Sequence, residues 1–237
     1  MTATLGCMRF LVSRGLVLCW VVLLLGVTQE LTAAPFYPEG TAPSADVKTY
    51  QKVTYDETQP GAYDPAVKAG FAAYQAGDFK KAFAIWLPLA EAGNAEAQYR
   101  IGRSYHLGEG VERNLNLALS WYLRAVRRHH APAMFGAGRI YDQADFEHTD
   151  KSAARLLFKG AALRGHRKSQ IFYGFYLFNG YGGKKDIIEG LAWIKISPPE
   201  YAFIREFLDD IRPFISVDVW PQIEEKIKEW HSRHSFD

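Results

Sequence analysis

From about residue 64 onward, apolar positions return every three or four residues, the spacing of one buried helix face, in short runs ended by glycine or polar turns. Ala97, Ile101, Gly102 and Tyr105 form one run, Gly108 and Gly110 interrupt it, and Leu115, Ala118, Leu119, Tyr122 and Ala125 resume it. This spacing predicts a helix, a glycine turn and a second helix, and the unit then recurs. Gly102, Gly138 and Gly174 stand 36 residues apart. The same step carries Ala97 to Ala133 and Ser169, Ala118 to Ala154 and Gly190, Trp121 to Leu157 and Trp193, and Tyr122 to Phe158 and Ile194. Backward, Ala118 reaches Ala82 and Tyr122 reaches Trp86 at that step, whereas Gly102 reaches Gly70 after 32 residues, so an earlier unit has a shorter turn at Gly77-Asp78.

Glycine inside a helix costs up to about 1 kcal/mol relative to alanine, and the usual compensation is that two helices approach closely over the missing side chain. The small columns are therefore predicted contact points, with Tyr105, Trp121 and Tyr122 filling the space between them. A single helix pair would leave that face wet, so pairs must stack. After Pro198-Pro199, Tyr201, Ile204, Phe207, Leu208 and Ile211 form a further helical stripe that stops at Pro213. Trp220, Ile223, Ile227 and Trp230 form a last one, with Asp218 as its expected N-cap and Pro221 in its first turn. These two helices are expected to cap the stack.

The stretch from Ala95 to Val111, with Ala97, Ile101-Gly102, Tyr105 and Gly108-Glu109-Gly110-Val111, followed by Ala118, Trp121-Tyr122 and Ala125, resembles the Sel-one-like repeat family, relatives of the tetratricopeptide repeats. Ile101 stands for the family's leucine and Asn114 where aspartate is usual. The unit at 130–165 carries Ala144 and Phe146 in place of the turn glycines and Leu157 in place of the tryptophan, so its turn is expected to be irregular; the unit at 166–201 keeps Gly180, Gly182 and Trp193. The resemblance implies an all-α fold, a right-handed α/α solenoid of helix-turn-helix repeats over 64–201, with C-terminal capping helices at 202–237.

The first quarter of the chain is different material. Arg9 and Arg14 precede thirteen uncharged, mostly apolar residues from Gly15 to Val27, and small residues follow at Thr32, Ala33 and Ala34. That order reads as a signal peptide over 1–33 and an exported, periplasmic or secreted product with no stable membrane span after cleavage. Residues 34–63, with Pro35, Pro38, Pro43 and Pro60, read as an extended arm whose Tyr50 and Tyr55 are candidates to dock on the body. Cys7 and Cys19 both lie in the leader, so the exported chain would hold no disulfide and no thiolate nucleophile.

The net charge of +2 over 237 residues, without a basic block, gives no support for nucleic-acid binding, and 48% hydrophobic with 23% charged residues excludes wholesale disorder. Gly180 to Lys185 lacks the spacing and the Ser or Thr of a phosphate loop, and no strand precedes it. His129 and His130 are adjacent, so on a helix they point about 100° apart and cannot easily share one metal ion. No nucleophile, paired-carboxylate or zinc motif stands out, so no catalytic, cofactor or metal site is expected.

What remains is surface. In the tetratricopeptide geometry that the resemblance implies, the first helix of each pair lines a concave groove. The position after the packing glycine then reads Phe71, Arg103, Arg139 and Phe175, flanked by Tyr99, Phe135 and Ile171 on one side and Tyr74, His106, Asp142 and Phe178 on the other. Arginine and aromatic residues are the types that anchor protein interfaces. The resemblance implies a monomeric, non-enzymatic interaction scaffold whose partner is another envelope protein or peptide with acidic and aromatic residues. A second expectation is a cell-wall enzyme of the beta-lactamase or peptidoglycan-hydrolase type, from a cysteine-rich branch of the family, which the missing cysteines disfavour. An adaptor of the endoplasmic reticulum is a third.

Overall fold

The computed structural model describes residues 64–143, 149–196 and 202–233, all within the compact unit Tyr55–Asp237. The expected signal peptide at 1–33, the extended arm at 34–63 and the irregular turn at 144–148 lie outside the described residues. Among the described residues ten α-helices follow one another: α1 Pro65–Gln75, α2 Phe79–Glu91, α3 Ala95–Leu107, α4 Leu115–Val126, α5 Ala131–Asp142, α6 Lys151–Ala162, α7 Arg167–Asn179, α8 Ile187–Ile196, α9 Ala202–Ile211 and α10 Val219–Arg233. A 3₁₀ turn, Arg212–Phe214, separates the last two. None of the helices described is long and apolar enough to cross a membrane.

The helices start where the 36-residue step places short polar side chains. Asp78, Asn114 and Asp150 cap α2, α4 and α6, each through a side-chain oxygen that accepts a free backbone N–H of the first turn, and the Asp186 carboxylate accepts the Glu189 N–H at the start of α8 in the same way. Asn94, His130 and His166 play that part for α3, α5 and α7. Each pair is therefore reset at the same two points of every unit.

Packing uses the small columns as expected. A Cβ on Gly70 would lie 2.3 Å from Trp86, on Gly102 2.7 Å from Tyr122, on Gly138 2.7 Å from Phe158, and on Gly174 2.6 Å from Ile194. One bulky residue per second helix thus presses on the glycine of its own first helix, closing α1 on α2, α3 on α4, α5 on α6 and α7 on α8. Successive pairs also pack, α2 on α3, α4 on α5 and α6 on α7, which gives a continuous α/α solenoid. Trp121, by contrast, is half-exposed beneath the guanidinium of Arg124, 4.2 Å away. At the far end α10 packs on α8, with Trp230 edge-on to Trp193 at 5.8 Å.

Candidate partner-binding face

Because α3 also meets α5 directly, past the intervening α4, the first helices form the inner row of the solenoid, and the residues singled out from the repeat register lie along it. Phe71, Tyr74, Arg103 and Phe178 are buried there, whereas Tyr99, His106, Phe135, Arg139, Asp142 and Phe175 are partly exposed. The two arginines differ in setting. Arg103 Nη1 lies 3.1 Å from Glu109 Oε2, and its guanidinium stands 4.9 Å over the Tyr74 ring. The Tyr74 hydroxyl in turn donates to Glu109 Oε1 at 3.0 Å. Glu109 is the residue between the two turn glycines, so the long turn of this unit reaches back to clamp its own arginine against the preceding unit. Arg103 Nη2 remains buried without a hydrogen-bond partner among the described residues.

Arg139 is half-buried and stacks 5.3 Å over Phe172. Phe172 meets Phe135 edge-on at 5.2 Å, and Phe135 also packs against His166 at 5.1 Å. Between the arginines lies His106, whose Nδ1 is 3.4 Å from the Tyr122 hydroxyl and whose Nε2 is 3.4 Å from Gln143 Nε2. Burial, together with the positive field of Arg139, Arg113 and Arg103, holds its pKa down to about 4, so the imidazole is neutral at physiological pH. Burial and the same two groove arginines also lower the pKa of Lys168. Arg103, Arg139 and Lys168 therefore contribute to one positive field beside an uncharged ring and a set of aromatic faces. Such a surface suits carboxylates, which guanidinium forks can bind in pairs, and rings that stack on rings.

Asp142 is drawn inward, accepting from the Tyr176 hydroxyl and from Lys151. Phe175 and Phe178 end the row, and Phe207 of α9 lies edge-on to both, 4.9 Å and 5.7 Å away.

Three groups that matter here do not show in the sequence pattern. Glu109 looks like an exposed turn residue, and Phe172 and Lys168 fall outside the positions flanking the glycine column. The third is a buried ionic cluster joining the pairs α3–α4 and α5–α6. Glu96 accepts from Arg100 Nε at 2.5 Å and lies 2.8 Å from His130 Nε2, while His130 Nδ1 accepts the Ala133 N–H. Glu96, Arg100 and His130 are at most 3% exposed. Arg100 and His130, despite the cost of burial, hold the Glu96 carboxyl below the usual carboxylate range. Both nitrogens of His130 are thereby engaged. His129 takes a left-handed backbone, φ 61°, where the equivalent positions are Gly93 and Gly165. Among the described residues no cluster of metal-ligating side chains forms.

Comparison with known proteins agrees with this architecture. The Sel1 repeat family profile matches residues 95–130 and 167–197. The chain is 33% identical over 63 residues to the ERAD-associated E3 ubiquitin-protein ligase component HRD3A of Arabidopsis thaliana, covering 27% of this chain and 9% of that protein. It is 29% identical over 114 residues to chitin synthase regulatory factor 2 of Schizosaccharomyces pombe, covering 46% and 21%. The chain thus spans about a fifth or less of the length of these curated relatives. The crystal structure of a Sel1 repeat protein from Oxalobacter formigenes superposes with a TM-score of 0.52 and 28% identity, over 55% of this chain and 52% of that one.

Proposed function

We propose that this chain, which belongs to the Sel1-like repeat family, acts as a non-enzymatic protein-interaction scaffold that holds an acidic, aromatic segment of a partner on its inner helix row. The observation that carries the reading is the row itself: partly exposed Tyr99, Phe135 and Arg139, with Arg139 stacked on Phe172 and sharing one positive field with Arg103 and Lys168. Relatives named as a ligase component and as a synthase regulatory factor support a role exercised through another protein. Arg9 and Arg14 ahead of the apolar run to Val27 support export, and hence a partner in the envelope or outside the cell.

The row works by chemistry that requires no reacting group. The Arg139 fork donates to a partner carboxylate beside the Phe172 ring, and Tyr99 and Phe135 offer rigid area with few rotamers to lose. Arg103, clamped by Glu109 and Tyr74, serves as a fixed source of positive potential. The test is capture of native proteins on the exported chain, with the captured partner identified and then titrated. Arg139→Glu should weaken its binding by about 2 kcal/mol, some thirtyfold, as truncated interface anchors do. Arg124→Glu on the outer helix α4 should leave it within twofold. Equal affinity for wild type and Arg139→Glu, with both proteins folded, overturns the reading.

A further inference from the structure

The end of the inner row is already occupied. Phe207 of α9 meets Phe175 at 4.9 Å and Phe178 at 5.7 Å, both edge-on. Ile204 and Phe207 are each 5% exposed, while Arg205, Glu206, Asp209 and Asp210 face solvent. The chain then turns at Arg212–Phe214 and sends α10 to a different place, the outer helix α8. Closure of the solenoid's last pair by Trp230 on Trp193 is thus made by another helix than the one lying on the phenylalanines. Lys185 completes the cleft, its Nζ 5.7 Å over the Phe178 ring, a cation beside the aromatic seat.

We propose that α9 is a built-in occupant of the groove, and that a partner segment of the same chemistry, an aromatic side chain followed by carboxylates, displaces it from Phe175 and Phe178. The inference rests on the groove reading above and specifies its ligand, because α9 itself carries the pattern: Phe207 is followed by Asp209 and Asp210. Lys185 beside the seat supplies a cation for the carboxylates of such a segment, and Arg139 and Lys168 add positive potential further along the row. Occupation in cis has a thermodynamic signature. A site open for only a fraction of the time binds an outside ligand with an affinity lowered by that fraction.

The test titrates the exported chain into a labelled peptide of residues 201–212. Phe207→Ala, which empties the seat, should bind the peptide at least tenfold more tightly than wild type, and adding Phe175→Ala should abolish that gain. Equal binding to wild type and Phe207→Ala, or binding to neither, overturns the proposal. Hydrogen exchange on the unmodified chain decides independently of whether the variant folds: the amides of 202–211 should exchange faster than those of α7. Rates matching those of α7 would show that α9 leaves only on global unfolding and would also overturn the proposal. Both readouts are independent of the Arg139→Glu comparison, so α9 can prove to be a fixed part of the wall while the groove reading stands.

Discussion

Replacing Gly138 by alanine tests the packing logic at one atom. In an open helix interior the change stabilises by up to about 1 kcal/mol, because alanine has less backbone freedom to lose. In α5 the new Cβ would sit 2.7, 2.9 and 3.1 Å from three atoms of the Phe158 ring. That ring is fully buried and wedged against Phe135, Phe172 and Tyr176, with centroids 5.8, 5.2 and 5.1 Å away. It has no room to swing aside. Overpacking of this kind costs about 1–3 kcal/mol and outweighs the helical gain. Gly160, in the adjacent helix α6, is the matched control, since its added Cβ would meet only Met134 Sδ, at 3.2 Å, the soft atom of an unbranched side chain that can move. Thermal unfolding followed by circular dichroism should place Gly138→Ala below wild type, by about 2–4 °C per kcal/mol for a domain of this size, and Gly160→Ala at or above it. Phe158→Leu should recover part of the loss when combined with Gly138→Ala, because the two sites are in contact. If both alanine variants raise the melting temperature, the glycine column is not a helix-helix seam.

The ionic cluster should be costly to break: Glu96→Ala leaves the Arg100 guanidinium and the His130 ring buried without their shared acceptor, a loss of about 3–5 kcal/mol in denaturant unfolding. Loss of less than about 1 kcal/mol would mean that water reaches the site. Acid should destabilise the fold. The His106 pKa lies below its unfolded value near 6.5, so the folded state binds fewer protons and stability falls as pH drops from about 6.5 to 4, by up to about 3 kcal/mol. Glu96, held below the carboxylate range, extends the loss to lower pH. His106→Gln should flatten the upper part of that profile, and an unchanged slope would contradict the assignment. His129→Gly should raise stability by up to about 1 kcal/mol, because a left-handed backbone suits glycine at the position that Gly93 and Gly165 fill elsewhere; no gain, or a loss, would show that the contact of Arg164 with the His129 ring is worth more than the backbone strain.

The helical pairs were legible because their determinants are local and periodic. Gly102, Gly138 and Gly174 against Tyr122, Phe158 and Ile194 are one column facing another, and the 36-residue step alone aligns them. The capping column Asp78, Asn114, Asp150 and Asp186 carries the same step. The inner row was legible only as a line of positions. Which of its members lie open depends on partners distant in sequence: Glu109 reaching Arg103 and Tyr74 from the turn, and α9 folding back onto Phe175 and Phe178. A repeat register does not encode such contacts, because each is made once. The Glu96–Arg100–His130 cluster was hidden for the same reason, since Pro132 and Lys168 occupy the positions equivalent to Glu96 in the next two units.

On the proposed function the inner face, and not the outer one, holds the partner. A photo-crosslinking phenylalanine analogue introduced at Phe135 on that face, or at Leu156 on outer helix α6, which is 69% exposed, addresses it directly. One discrete partner should be trapped from Phe135 and absent from Leu156, and Arg139→Glu should remove the product. The same product from Leu156, or a product at Phe135 that survives Arg139→Glu, would contradict it.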